Sequence, residues 1–496
     1  MKRHFSQKIF IFTCFFLTIA HRGIPQEVKT YELSIKEISE LALKNNFDIQ
    51  LAQYDLWIKR TDQQVAESIY DTMLNAGVGY RDNQRKQVST IFGEKTVDNE
   101  YNVGLARKLP SGTTLGVEMA HQRQFSDSPF TISSVTHGSS LAVSIDQDLG
   151  KNFFGLKDRG NVHMTRLDIE NVEFLSLDKI EMYLAHVQNA YWDLVLEMEN
   201  VAIEEDMVRQ AKRLDELHQE KFKSGLVEKT DIIASQANYQ RRRNDLVLAE
   251  NSLKGKTNVL KYLLNIPEDE ISIVPTDQFQ IPDAITDFQQ ALKEAFERRR
   301  DYKMAHNEIK NRDIQLAIEK NNSWPEINLS ASLARNGLGD HFKEASTHIA
   351  DEDNPDFRVG LEFNFPLENS AAGAQSKAAD LAKAKAIIRL KSIERKISIE
   401  IMDRVRDCNT FRGVALSDEK ISILQQEKLA EEEKRFQLGR SSTDILIRFQ
   451  EDVILDRLRA AQAKYRYHLS QVDLQLKTGD LLHRYWSLSD LRGLSP

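Results

Sequence analysis

Residues 221–232 read KFKSGLVEKTDI, and residues 435–446 read RFQLGRSSTDIL. Each stretch sets a phenylalanine, Phe222 or Phe436, three positions before a glycine, Gly225 or Gly439. A Thr-Asp-Ile run follows each glycine, at 230–232 and at 443–445. A glycine so placed ends a helix, because the chain must turn left-handed there and glycine does so without a steric penalty. Thr230-Asp231 and Thr443-Asp444 then offer a hydroxyl and a carboxylate to the free N–H groups of a returning helix. Either stretch alone is an ordinary helical-hairpin turn. Two at matched places mark the shared end of a molecule built twice.

Working outward, no proline occurs from Leu156 to Phe222 or from Ala371 to Phe436. At 1.5 Å rise per residue, each stretch makes a helix on the order of 100 Å long. Shorter helices are expected after each turn, over 230–264 and 443–481. In the first, Tyr239, Leu246, Ala249, Leu253, Leu260 and Leu263 fall at coiled-coil spacing, as do Leu458, Tyr465, Leu469, Val472 and Leu476 in the second. Lys, Arg, Glu and Gln fill the other faces, so these helices pack side by side in water.

The same doubling appears upstream, where Ala42, Asp48 and Ala52 recur as Ala295, Asp301 and Ala305 at a constant offset of 253. The expected organisation is a first unit at 27–264, a linker at 265–285 holding Pro267, Pro275 and Pro282, a second unit at 286–482, and a tail at 483–496. Each unit also contains residues that alternate with period 2: around 74–81, 101–106, 115–120 and 141–146 in the first, around 327–333 and 357–365 in the second. Side chains of a strand point alternately to opposite faces, so each stretch has one apolar face and one polar or small face. The strands alone fit equally a sandwich with one wet face or a barrel with a lipid side and a watery lumen.

The amino terminus favours the barrel. Lys2, Arg3 and Lys8 precede an apolar run from Ile9 to Ile19, too short for a membrane span and followed by Ala20, which predicts an export leader over 1–20. Beyond it no segment approaches 18 consecutive apolar residues, so a chain that enters a membrane must do so as closed sheet. The remaining composition is bland and exclusionary. The 496-residue chain has 10 prolines, 21 glycines, 2 cysteines and a formal net charge of −8. Few breakers fit long helices, and two cysteines exclude a disulfide scaffold. Cys408, left alone after export, reads as a small buried apolar group. An acidic chain gives no footprint for nucleic acid, so Arg241–Arg243 and Arg298–Arg300 read as solvated faces or subunit salt bridges. HExxH, GxSxG and Walker patterns are missing, and the sequence predicts no enzyme, cofactor or metal. His218 and Glu220 read as solvated groups on a long helix.

With its two tips, its strand-to-helix entries DQDLGKNFFG (146–155) and FNFPLEN (363–369), and Trp324-Pro325-Glu326-Ile327, the sequence resembles the TolC-like outer-membrane efflux family over about Leu33 to Leu482. The resemblance implies an α+β membrane protein: a homotrimer whose strands close one β-barrel in outer-membrane lipid and whose helices continue it as a periplasmic tunnel. It implies a periplasmic adaptor (a membrane fusion protein) and an inner-membrane transporter as partners, in efflux or type I secretion. It further implies that Asp444 belongs to a carboxylate ring narrowing the tunnel, with Ile447 at the second ring position weakening it. Thr230 and Asp231 match one half of the family's gate latch. Phe436 stands where the other half has a tyrosine, and Arg440 is displaced by one position from the expected arginine. Gly225, Leu226 and Gly439 match the tips that meet the adaptor. The family's usual four strands per chain are exceeded here by the hairpin 101–122, which is expected to join the wall with its turn at 109–113 on the periplasmic side. The competing expectation is an exported coiled-coil structural protein or adhesin, without channel activity and with a terminal sandwich.

Overall fold

The computed structural model describes residues 29–485 apart from 87, 89, 90, 92 and 267–270. The expected leader (1–20), and the tail from 486 onward, lie outside the described residues. The chain opens with strand β1 (Lys29–Leu33) and helix α1 (Ile35–Asn45). Ser34 and Glu37 cap α1 reciprocally, each side chain serving the other residue's N–H. Asn46 closes α1 and caps α2 (Phe47–Glu67) by accepting the Ile49 N–H at 3.1 Å. Four strands follow, β2 (Thr72–Asn83), β3 (Thr96–Lys108), β4 (Thr113–Ser126) and β5 (Val135–Asp148), then the long α3 (Leu156–Lys223) and α4 (Lys229–Leu263). After β6 (Ile271–Pro275) come α5 (Phe288–Arg298), α6 (Arg300–Asn322), β7 (Glu326–Gly339), α7 (Phe342–Asp351) and β8 (Pro355–Asn364). The chain closes with α8 (Ser370–Gln437), α9 (Thr443–Thr478) and α10 (Leu481–Tyr485).

All six alternating stretches are strands of one antiparallel sheet, in the order β2-β3-β4-β5-β7-β8. The hairpin 101–122 belongs to it as β3 and β4. Register aligns the apolar residues into continuous rows: Leu74 beside Leu105, Val117 and Val143, and Val78 beside Tyr101. On the second unit's side Leu333 lies opposite Val143 and Phe357. The β3–β4 turn packs on the start of α3, where Gly112 (φ +75°) faces Gly155 (φ +71°). A Cβ on Gly155 would run into the Pro110 carbonyl, so only glycine allows the turn to sit against the helix entry. That fixes the turn at the helical end of the sheet. The sandwich expectation fails, because among the described residues no second sheet covers either face.

The other sheet is a parallel pair, β1 with β6, from Lys29 opposite Ile271 to Leu33 opposite Pro275. It was not legible beforehand, and only its second strand lies within the stretch expected as linker, the first lying in the first unit. Asp277, just after β6, takes the Ile35 N–H at 2.7 Å and the Tyr191 hydroxyl at 2.6 Å. Burial and this carboxylate push the Tyr191 hydroxyl pKa up. Around it lies the largest core, with Ile38, Ile180, Leu184, Leu194, Leu260, Leu264 and Leu482. Each such side chain contributes about 1.5–3 kcal/mol by leaving water. The belt sits near the middle of α3, where α1, α4, α9 and α10 meet it.

Both long helices have 68 residues, so each spans about 100 Å. The second hairpin is zipped by a strict seven-residue rhythm. Cys408, Ala415, Ser422, Leu429 and Phe436 are buried on α8, and Leu446, Val453, Ala460, Tyr467 and Leu474 on α9. The seam expected from Leu458, Tyr465, Leu469, Val472 and Leu476 is real, but Leu458 packs into the tip-side core and the other four into the mid-helix core shared with the first hairpin. Both arginine runs proved to be paired within the chain. Arg300 is buried against Glu181 and lies 3.0 Å from Asp178, Arg299 reaches Glu400 and Asp301 at 2.7 Å, and Arg298 meets Asp480. Arg241 and Arg242 both reach Glu451, at 3.1 and 3.5 Å. Arg241 and Arg243 remain exposed, as expected of a solvated face, whereas Arg298–Arg300 are drawn in by ion pairs within the chain in place of subunit salt bridges.

Candidate functional site: an open wall and two helical tips

The two tips are built alike. In the first, the Gly225 N–H donates to Phe222 O at 2.9 Å and the Leu226 N–H to Lys221 O at 2.9 Å. In the second, the Gly439 N–H donates to Phe436 O at 3.0 Å and the Arg440 N–H to Arg435 O at 2.9 Å. Gly225 (φ +69°) and Gly439 (φ +73°) take the left-handed conformation this double closure requires. Open space surrounds both glycines, and the adjoining Leu226 and Leu438 are 72% and 70% exposed.

The caps differ from expectation. Glu228, which sequence reasoning passed over, precedes α4, and Asp231 accepts its N–H at 3.2 Å. Thr230 reaches the Glu228 carboxylate at 3.4 Å rather than a helix N–H. The Thr443 hydroxyl does not cap α9 but crosses to the first tip, donating to Asp231 at 2.9 Å. Asp231 is therefore tied to the second hairpin through Thr443 and not through Arg440. Among the described residues no ion pair or side-chain hydrogen bond of Arg440 is found. Asp444 stands exposed in the first turn of α9, where the helix N-terminus favours a carboxylate. Ile447 is partly buried in the tip core, as are Leu214, Leu429 and Leu446 more deeply.

His218 overturns its sequence reading. It is fully buried, its Nε2 3.0 Å from Thr443 Oγ1 and its Nδ1 2.9 Å from Leu214 O. Its ring lies 5.8 Å from that of Phe436, over which Lys221 Nζ sits at 5.1 Å. The signal for its burial lies on α8 and α9, more than 200 residues away, so the local helix pattern did not carry it.

At the opposite end the sheet is bare. Leu74, Val78, Val103, Leu105, Val117, Val143, Leu333, Val359, Leu361 and their row neighbours are exposed on one face. The other face presents Asn75, Asn102, Glu118, Ser144, Asp146, Ser332, Arg358 and Glu362 beside several glycines. Exposed aromatics fringe the apolar face at both ends: Phe153, Phe154, Trp324 and Phe363 near the helices, Tyr80, Tyr101, Phe342 and Phe357 at the far side. That distribution suits a wall whose two rims meet lipid headgroups. Helix α7, unforeseen in the sequence, packs across the far end, its Phe342 ring 4.6 Å from His121. Among the described residues, no helix is long and apolar enough to cross a membrane.

A lipid-ready sheet that cannot close by itself, continued by two polar helical hairpins, defines a class: the architecture of the TolC-like outer-membrane channels. The chain resembles that family over nearly its whole described length, and its fold is the TolC-like one. The curated outer membrane protein TolC of Vibrio cholerae is 22% identical over 304 residues, 60% of this chain and 68% of that protein. The outer-membrane channel CmeC of Campylobacter jejuni superposes with a TM-score of 0.65 at 14% identity, over 99% of this chain and 98% of its own. The open state of the MtrE outer-membrane channel of Neisseria gonorrhoeae gives 0.65 at 15% identity, over 95% and 96%. No protein-family model matches the sequence.

Proposed function

We propose that this protein is an outer-membrane channel, the exit duct of a tripartite efflux or type I secretion system. The observation that carries the reading is the six-stranded sheet, exposed over its apolar face except at the far end where α7 packs, and open at both edges, β2 and β8. Six strands cannot seal against lipid, since membrane barrels begin at about eight. Three copies bring about eighteen strands, with the apolar rows outward and Asn75, Glu118, Asp146, Arg358 and Glu362 lining the lumen. The helices, too polar for lipid, extend from the inner rim into the periplasm, and the repeated tips reflect an internal duplication. Exposed Leu226 and Leu438, beside Gly225 and Gly439, form the docking points for an adaptor, which links the duct to an inner-membrane transporter.

Reconstitution tests the reading. Purified protein in a planar bilayer should give discrete ion conductance, and its mass in detergent should be three chains. A monomer that stays soluble without detergent and conducts nothing favours the structural or adhesin alternative. Asp444 supplies a finer test. With a carboxylate from each copy at the narrow end, Asp444→Ala should lower cation selectivity, seen as a reversal potential shifted toward zero in a salt gradient. Unchanged selectivity removes Asp444 from the constriction.

A further inference from the structure

The three bonds around His218 can be counted in protons. The Leu214 carbonyl has none to give, so Nδ1 must donate to it. An ionised Asp231 only accepts, so the single Thr443 proton goes to its Oδ1. The remaining contact, Nε2 to Thr443 Oγ1 at 3.0 Å, is then a hydrogen bond only when Nε2 also carries a proton. A singly protonated ring can keep its bonds to Leu214 and Thr443, but it takes the Thr443 proton to do so. The bond lost is the one from Thr443 to Asp231, which ties α9 to α4.

We propose that His218 is a proton-sensing positioning residue of the tip: doubly protonated, it clasps α9 to α4, and loss of one proton releases them. This rests on reading the tip as the gated end of a channel, and it adds the group that sets the gate and the direction of control. Histidine is suited to the task because its neutral ring has one donor and one acceptor while the protonated ring has two donors. Charged side chains on the elements that meet at the tip include Asp215, Glu220 and Lys221 on α3, Glu228 and Asp231 at the start of α4, Glu432, Glu433 and Arg435 on α8, and Asp444 and Arg448 on α9. Several are already engaged: Asp215 by Ser235 and Gln219 at 3.0 and 2.7 Å, and Glu432 by Arg435 at 3.2 Å and by Ser441. Lys221 is held over Phe436. Asp231, reached through Thr443, is the carboxylate whose bonding depends on the proton of the ring.

Two readouts on the full-length protein separate the clasp from the channel. Amide-exchange protection factors at 222–232 and 438–446 should be about tenfold higher at pH 5.5 than at pH 8, the worth of one hydrogen bond to a charged group. His218→Gln and Thr443→Val should flatten that difference, and Thr443→Val should leave the tip loose at both pH values. In planar bilayers the wild type should open more often at pH 8, and both variants should open equally at either pH. A wild-type pH profile retained in Thr443→Val overturns the clasp, as does equal tip protection at both pH values in the wild type. A pH-dependent tip in a protein that never conducts leaves the clasp standing and removes the channel reading instead.

Discussion

His468 shows what a single buried ring can do in this scaffold. It stacks on Trp192 at 4.1 Å between centroids and lies 5.4 Å from Phe279. Burial drives its pKa down to about 4, because the charged imidazolium loses its water there. The unfolded chain therefore takes up this proton first as pH falls. The contribution of His468 is whole above about pH 6.5 and is lost progressively toward pH 4, to the extent of roughly 3 kcal/mol. His468→Phe keeps a ring in the stack and removes the proton, so its urea midpoint in detergent should fall less than the wild type's across that window. Parallel declines would show that another group dominates. Residues of this kind mark the limit of what one sequence discloses. Gly225 and Gly439 were legible because the turn they make is local, and Cys408 because a lone cysteine on a helix is usually buried. His218 read as a solvated group and Arg300 as part of a solvated face or subunit salt bridge, and the partners that bury them, like those of His468, come from distant segments.

Elements were legible where a period ran unbroken. The long helices begin and end within about one residue of the proline-free stretches, and all six alternating runs became strands. The α8–α9 seam was missed because cysteine, alanine and serine hold several of its positions, and a search for large apolar residues passes over them. The five-residue β1 and β6 were missed because they are short and pair across some 240 residues. Helix α7 was missed because its ten residues interrupt a strand pattern. The added hairpin can be tested directly. Val103 on β3 is exposed on the apolar face, with Met119 opposite it on β4 and Asn102 on the other face. If β3 stands in the lipid, Val103→Arg should cost about 2–4 kcal/mol of insertion and sharply reduce outer-membrane yield. Asn102→Lys, facing the lumen, should insert normally. Equal yields for the two substitutions would place the hairpin outside the bilayer.

At the scale of the whole molecule, what one chain leaves uncovered marks where further copies would pack. Beyond the open sheet edges, three helices carry exposed apolar stripes. On α2 the stripe is Phe47, Leu51, Tyr54, Ile58 and Val65, and on α4 it is Ile233, Val247, Leu248, Val259 and Tyr262. On α8 it is Leu381, Ile388, Ile399, Met402, Val414, Ile421 and Leu424. Residues at such spacing share one helix face, opposite the faces that pack within the chain. Stripes this long on polar helices would not stay in water alone. In the proposed ring, copies would cover them with one another and close the sheet with the same rotation, so barrel and tunnel should assemble or fail together. Ile388→Glu with Met402→Glu tests this without touching a strand, a tip or a buried side chain. Each copy should keep its helical circular dichroism, since both side chains lie outside the protomer core. The three-chain species in detergent should give way to single chains, and conductance should vanish with it. A double variant that still runs as three chains would mean that α8 faces water in the assembly, and the ring would have to be drawn with another face inward.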